Sequence, residues 1–138
     1  MGKVVESGVF AGNTYEDTAG QNDPGERKKA WLFGHFMPDD DPRKTDALCI
    51  AVNDHYMGIT REAWAVNDEA TTLSILIEGR VSMEFPSEDV VLEKPGDYVM
   101  WGPGVPHRWR TASGTKFMSI RWPSLAGDSH DVPSSRTA

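Results

Sequence analysis

The chain has 138 residues, with 21 Asp and Glu against 14 Lys and Arg, a formal net charge of −7, 13 Gly, 9 Pro, 5 Trp and a single Cys. A chain of this length builds one hydrophobic core rather than two; its acidic balance repels phosphates, which excludes sequence-independent binding to nucleic acid or to an anionic membrane surface. Cys49 alone excludes an intramolecular disulfide, and with no secretory apolar stretch and no apolar run of membrane-spanning length the chain is expected to be cytoplasmic.

In chain order, residues 1–28 are polar and Gly-rich, with Asn13, Asp17, Gly20, Asn22, Asp23, Pro24 and Gly25 too closely spaced for regular structure. They are expected to form a flexible N-terminal arm, and residues 29–124 the core. Trp31 to Phe36 and Ala47 to Tyr56 read as strands on either side of a solvated loop carrying Asp39-Asp40-Asp41 between Pro38 and Pro42. Thr71 to Ile77 reads as a strand entering a tight hairpin at Glu78-Gly79, followed by the alternating Val81-Ser82-Met83-Glu84-Phe85. Val90 to Leu92, Tyr98 to Trp101, His107 to Thr111 and Lys116 to Trp122 follow as further short strands. Residues 125–138 are small, polar and Pro-containing, and are expected to form a flexible tail. At least eight short strands with Gly and Pro between them predict an all-β chain, closed as a barrel or a double-sheet jelly roll.

The most specific stretch is Gly96 to His107, reading Gly-Asp-Tyr-Val-Met-Trp-Gly-Pro-Gly-Val-Pro-His. Gly-Asp opens a tight turn, four strand formers follow, and Gly102-Pro103-Gly104 bends the chain before His107 starts the next strand. This resembles the second motif of the cupin superfamily, except that cupins commonly carry Pro where Gly102 stands. The resemblance implies a cupin-like β-barrel, a double-stranded β-helix jelly roll, with His107 at a position that usually ligands a metal. The upstream half of the resemblance is Gly58 to Gly79. There, metal-binding cupins carry two His separated by one residue and a Glu seven residues before the closing Gly; this chain has the Trp64 to Asn67 segment and Thr72 instead. One neutral imidazole does not hold a divalent ion against water, so no cofactor is expected. The alternative is an irregular site for a divalent transition metal on His107 and His55, helped by Asp54, Asp68 or Glu69. His35 reads as a core imidazole with a hydrogen-bond partner, and His130 lies in the expected tail.

The segment from Trp31 to Ser124 also resembles a smaller family of bacterial cupin-like proteins, through Trp31-Leu32-Phe33-Gly34-His35-Phe36, Thr71 to Ile77, the Gly96 motif and Arg121-Trp122-Pro123-Ser124. This implies the fold and no activity. If Thr72 takes the inward place of the usual Glu, alternation turns Ser74 and Leu76 inward, and His107 inward takes Trp109 with it. Phe117, Ser119 and Arg121 share one face of the last strand. An inward Arg121 is costly unless it meets a carboxylate of the protein or of a ligand; the alternative is a rim arginine paired with surface acids. Trp64, Trp101 and Trp109 are candidate walls of an aromatic pocket.

The resulting expectation is a barrel with a degenerate metal site that binds a small organic molecule through His55, Trp64, Thr72, Ser74, Trp101, Trp109 and Arg121. As an enzyme it would be a metal-independent isomerase, lyase or cyclase with His107 as general acid or base. A non-catalytic ligand-binding or regulatory module and an irregular metallo-cupin oxygenase are the alternatives. Leu73, Ile75 and Ile77 then face outward, and an apolar outer face predicts a homodimer. No phosphate-binding loop, paired-cysteine site or nucleophile elbow is present in the sequence.

Overall fold

The architecture follows from alternation along one strand: Thr72, Ser74 and Leu76 are at most 2% exposed, whereas Leu73 and Ile75 between them are half-buried. A computed structural model describes residues 2–18, 30–55, 58 and 60–133, the side chain of His55 excepted. The strands are β1 (Lys3–Glu6), β2 (Val9–Ala11), β3 (Trp31–Phe33), β4 (Cys49–His55), β5 (Trp64–Asn67), β6 (Thr71–Glu78), β7 (Val81–Glu84), β8 (Asp89–Leu92), β9 (Tyr98–Trp101), β10 (Arg108–Thr111), β11 (Thr115–Trp122) and β12 (Ser129–Val132). One layer is a five-stranded sheet in the order β3-β4-β11-β6-β9. The other combines β10-β7-β8 with the pair β12-β5, joined by antiparallel bridges from Thr60 to Arg110 and from Ala65 to His107. Among the described residues there is no helix long and apolar enough to cross a membrane.

The chain is all-β, as predicted, and most of the expected strands are present within a residue or two. Three features differ. Gly79 turns the chain as expected, but β6 and β7 do not pair with one another: β6 lies between β11 and β9, and β7 between β10 and β8. The turn is therefore a corner between the two layers rather than a hairpin. Glycine is needed there, because its φ is +94° and a Cβ would lie 2.5 Å from Thr115 Oγ1. That hydroxyl accepts from Arg80 N and lies 2.7 Å from the Ala112 carbonyl, so it ties the corner to the turn before β11.

At the N-terminus, where the sequence predicts no regular structure, β1 and β2 form a hairpin and Asp17 accepts from Gly2 N and Asn13 N. Arg43 joins this segment to the barrel by donating to the Asp17 carbonyl. The expected tail likewise contributes a strand, with β12 pairing along its whole length with β5. Leu76, Val81, Met83, Leu92, Trp101 and Phe117 form the apolar core between the layers. Leu76 and Phe117 oppose each other on β6 and β11, while Thr72 and Arg121 oppose each other four residues further along, where the interior opens.

Candidate functional site

Between the two layers lies a cavity of ≈ 450 Å³. Its floor is Met83, Trp101 and Phe117, shared with the apolar core. On the five-stranded side the inward residues of three strands reach it: Ala51 and Asn53 from β4, Ser119 and Arg121 from β11, and Thr72 from β6. Trp109, His107, Arg61 and Thr60 close it from the other layer, and Trp31 from the β3 edge.

His107 is 4% exposed and is held at both backbone polar groups by Ala65, in a pair of 2.9 Å hydrogen bonds. Its ring Nδ1 lies 3.0 Å from the Val105 carbonyl oxygen. A carbonyl only accepts, so Nδ1 carries the proton and Nε2 is the lone-pair acceptor. Burial pushes the imidazole down to about 4, against the hydrogen bond to Val105 and assisted by the positive charges of Arg121 and Arg61. The ring is therefore neutral at pH 7. It stacks at a tilt on Trp101, with centroids 4.8 Å apart.

The cavity wall holds two arginines in different circumstances. Arg61 lies over the Trp109 ring and donates to Asp131 at 2.8 Å. Arg121 lies over the Trp31 ring, 5.0 Å from its centroid, and its Nε is buried without a hydrogen-bond partner. Burial lowers its pKa, and Cys49 and Asp128 partly oppose that. Among the described residues lining the cavity there is no Asp or Glu. Thr72 Oγ1, Trp101 Nε1 and Trp109 Nε1 are likewise buried without partners.

The structure thus brings together His107, Thr72, Trp101, Trp109 and Arg121 of the residues singled out from sequence. Ser74 stands behind the wall, its hydroxyl 2.6 Å from that of Ser119. Trp64 is buried but is not among the residues lining the cavity: its ring packs under the Arg108 guanidinium at 4.4 Å. His55 ends β4 opposite Thr115 in register, and its side chain lies outside the described residues. Asp54 opposes Lys116 and is exposed. Asp68 pairs with His130 at 2.8 Å. Trp31, Asn53 and Arg61 were not singled out from sequence; alternation from Ala51 would have found Asn53, but no periodicity marks Arg61, which sits outside any strand. His35 has the partner expected of it, with Nδ1 2.7 Å from the buried Ser124 hydroxyl.

No protein-family model matches the sequence, and no curated protein does. Solved structures do match. The nucleoside dehydratase Pac13 superposes with a TM-score of 0.55 at 13% identity, covering 66% of this chain and 74% of that one, and a variant of Streptomyces PAC13 solved with uridine gives the same values. KdgF from Halomonas sp. gives 0.51 at 15% identity, over 59% and 74%. A chain from a study of two lyases of DMSP gives 0.56 at 19% identity, over 75% of this chain and 52% of that one. The fold is cupin-like.

In a cupin-like barrel the position of His107 is where a metal ligand usually stands, so the donors around it decide whether an ion fits. The resemblance puts Thr72 where metal-binding cupins carry a carboxylate, and the charged side chains among the described lining residues are the guanidinium groups of Arg61 and Arg121. Among the described residues no three His, Cys, Asp or Glu converge on one point. One imidazole, hydroxyls and arginines are an unsuitable ligand set for a divalent cation, because they supply one strong donor and repel the charge.

Proposed function

We propose that this protein binds a small organic molecule in the barrel cavity and acts on it as a metal-independent isomerase, lyase or cyclase, with His107 as general base. The observation that carries this reading is the state of the imidazole: Nδ1 is committed to the Val105 carbonyl, the ring is neutral at pH 7, and the side chain forms part of the cavity wall. Removing a proton from a carbon next to a carbonyl places it on Nε2, and the electron pair moves into the carbonyl oxygen. Loss of a β-substituent, protonated from the same imidazolium, completes an elimination; return of the proton to another carbon completes an isomerisation. Dehydratase and lyase chemistry on two of the proteins of similar fold is consistent with this class.

The same low basicity favours a second reading, a binding module in which His107 only orients the ligand by accepting a hydrogen bond. The ligand retained on purified protein, identified by mass spectrometry, supplies the substrate for deciding between them. His107→Ala is expected to lower turnover about 10²–10⁴-fold with the fold intact, and His107→Gln, which hydrogen-bonds but does not titrate, to lower it comparably. Modest loss of affinity in both variants, with no conversion by the wild type, establishes the binding module instead. Elemental analysis of protein purified without chelator should find substoichiometric metal; stoichiometric Fe, Mn, Ni or Zn would promote the oxygenase alternative. A cytoplasmic location and a homodimer complete the proposal, the latter argued below from the outer face of the barrel.

A further inference from the structure

We propose that the ligand carries an anionic group, a carboxylate or a phosphate, seated on a row of side chains that crosses three strands of the barrel: Arg121 on β11, Thr72 on β6 and Trp101 on β9. This rests on the reading of the cavity as the ligand site and names the chemistry that the site selects.

The row is fixed by register. Arg121 opposes Thr72, and Thr72 opposes Trp101, so all three lie abreast on the same inward face. Each contributes a buried polar atom with no partner in the protein: Arg121 Nε, Thr72 Oγ1 and Trp101 Nε1. Trp109 Nε1 across the cavity is in the same condition. Guanidinium and indole nitrogens donate and never accept, and a threonine hydroxyl can donate as well. Such a set is complemented by a group that offers several acceptors and no donor. Buried donors without partners are rare because each costs free energy, and three abreast in one wall of a cavity, with a fourth facing them, point to a ligand that satisfies them together.

Charge narrows the choice from polar to anionic. Arg61 is neutralised by Asp131. Asp128 acts on Arg121 electrostatically, but its oxygens are engaged by Asn67 Nδ2, Glu69 N and Ala70 N. Cys49, abreast of Arg121 on β4, is a buried thiol. A guanidinium in a cavity wall with no carboxylate among the described lining residues is a destabilising arrangement in the free protein. It becomes favourable when an oxyanion arrives, through charge-assisted and frequently bidentate hydrogen bonds. The protein as a whole is acidic, at −7, so this preference is local to the site and does not come from the surface field.

The test compares anions with neutral isosteres by calorimetric titration of the full chain, using benzoate, benzamide and inorganic phosphate as probes. Wild type is expected to bind at least one anion saturably, with benzoate about 10–100-fold tighter than benzamide. Competition by inorganic phosphate would assign the site to phosphate-bearing ligands, and its failure to compete to carboxylates. Arg121→Met should abolish the preference for benzoate. Trp101→Phe, which keeps an aromatic ring and removes only the N–H donor, should reduce it, and serves if Arg121→Met does not fold. Equal affinity for benzoate and benzamide, no saturable binding of either anion, or an anion preference that survives in both variants would overturn the proposal. The two readings fail separately: His107→Ala should keep the anion preference, so loss of turnover without Arg121-dependent binding sinks only the anion site. Anion binding with unchanged turnover in His107→Ala sinks only the general base.

Discussion

His107 couples the site to stability because its environment, not its identity, sets its charge. The folded chain protonates this imidazole only near pH 4, whereas an exposed imidazole in the unfolded chain does so near 6.5. Between those values the unfolded state binds more protons, so stability is expected to fall as the pH is lowered from about 6.5 towards 4. The difference amounts to about 3 kcal/mol, at roughly 1.4 kcal/mol per pH unit. His35 contributes in the same direction, its imidazole lowered by burial and by Lys44. Urea unfolding at pH 7, 5.5 and 4.5 measures the slope. His107→Gln should flatten it, and a variant as acid-sensitive as the wild type would show that other groups dominate acid unfolding.

At the scale of elements, β12 is held to the barrel by more than its ladder. Asp128, 8% exposed and just ahead of β12, accepts from Glu69 N and Ala70 N in the turn between β5 and β6, and from the Asn67 side chain. Arg61, ahead of β5, reaches Asp131 on β12, and His130 on β12 reaches Asp68, just after β5. Because β5 carries Ala65, which anchors His107 through two hydrogen bonds, this clamp also positions the imidazole. Asp128→Ala leaves the buried Ala70 amide and the half-buried Glu69 amide without their acceptor and should destabilise the fold by about 1–3 kcal/mol. Chemical denaturation gives the figure, and hydrogen exchange should show faster opening of β12 and β5 than of β6 and β11. A loss below about 0.5 kcal/mol would mean that water replaces the carboxylate at no cost.

For the whole molecule, the outer face of the five-stranded sheet is the feature that needs a cover. Ile50, Ile120, Leu73 and Met100 lie abreast across β4, β11, β6 and β9, and Val52, Met118, Ile75 and Tyr98 form a second row beside them. Tyr98 is 67% exposed and Met100 59%. Two continuous apolar rows over four strands form a patch of the kind monomers seldom leave bare, and a second copy of the same sheet is complementary to it by symmetry. The protein is therefore expected to scatter light as a dimer at micromolar concentration, and Ile75→Glu to give a folded monomer. A wild-type monomer over that range would refute the interface.

Much of this molecule is legible locally. The period of two along Thr71–Glu78 puts Thr72, Ser74 and Leu76 on one face and that along Thr115–Trp122 puts Phe117, Ser119 and Arg121 on one face, and the Gly96 motif puts His107 at the start of a strand, because alternation and glycine turns are properties of adjacent residues. What the sequence does not carry is which strand meets which. Gly79 marks a turn whether its two strands pair or part into different layers. Ser129–Val132 is too polar to be recognised as a strand until β5 offers it a ladder. Trp64 reads as a candidate aromatic wall and yet stacks on Arg108. Arg61 enters the cavity wall from a segment without periodicity. Protonation of His107 and the unsatisfied Nε of Arg121 depend on burial and on partners distant in sequence, and those exist only once the two layers have closed on each other.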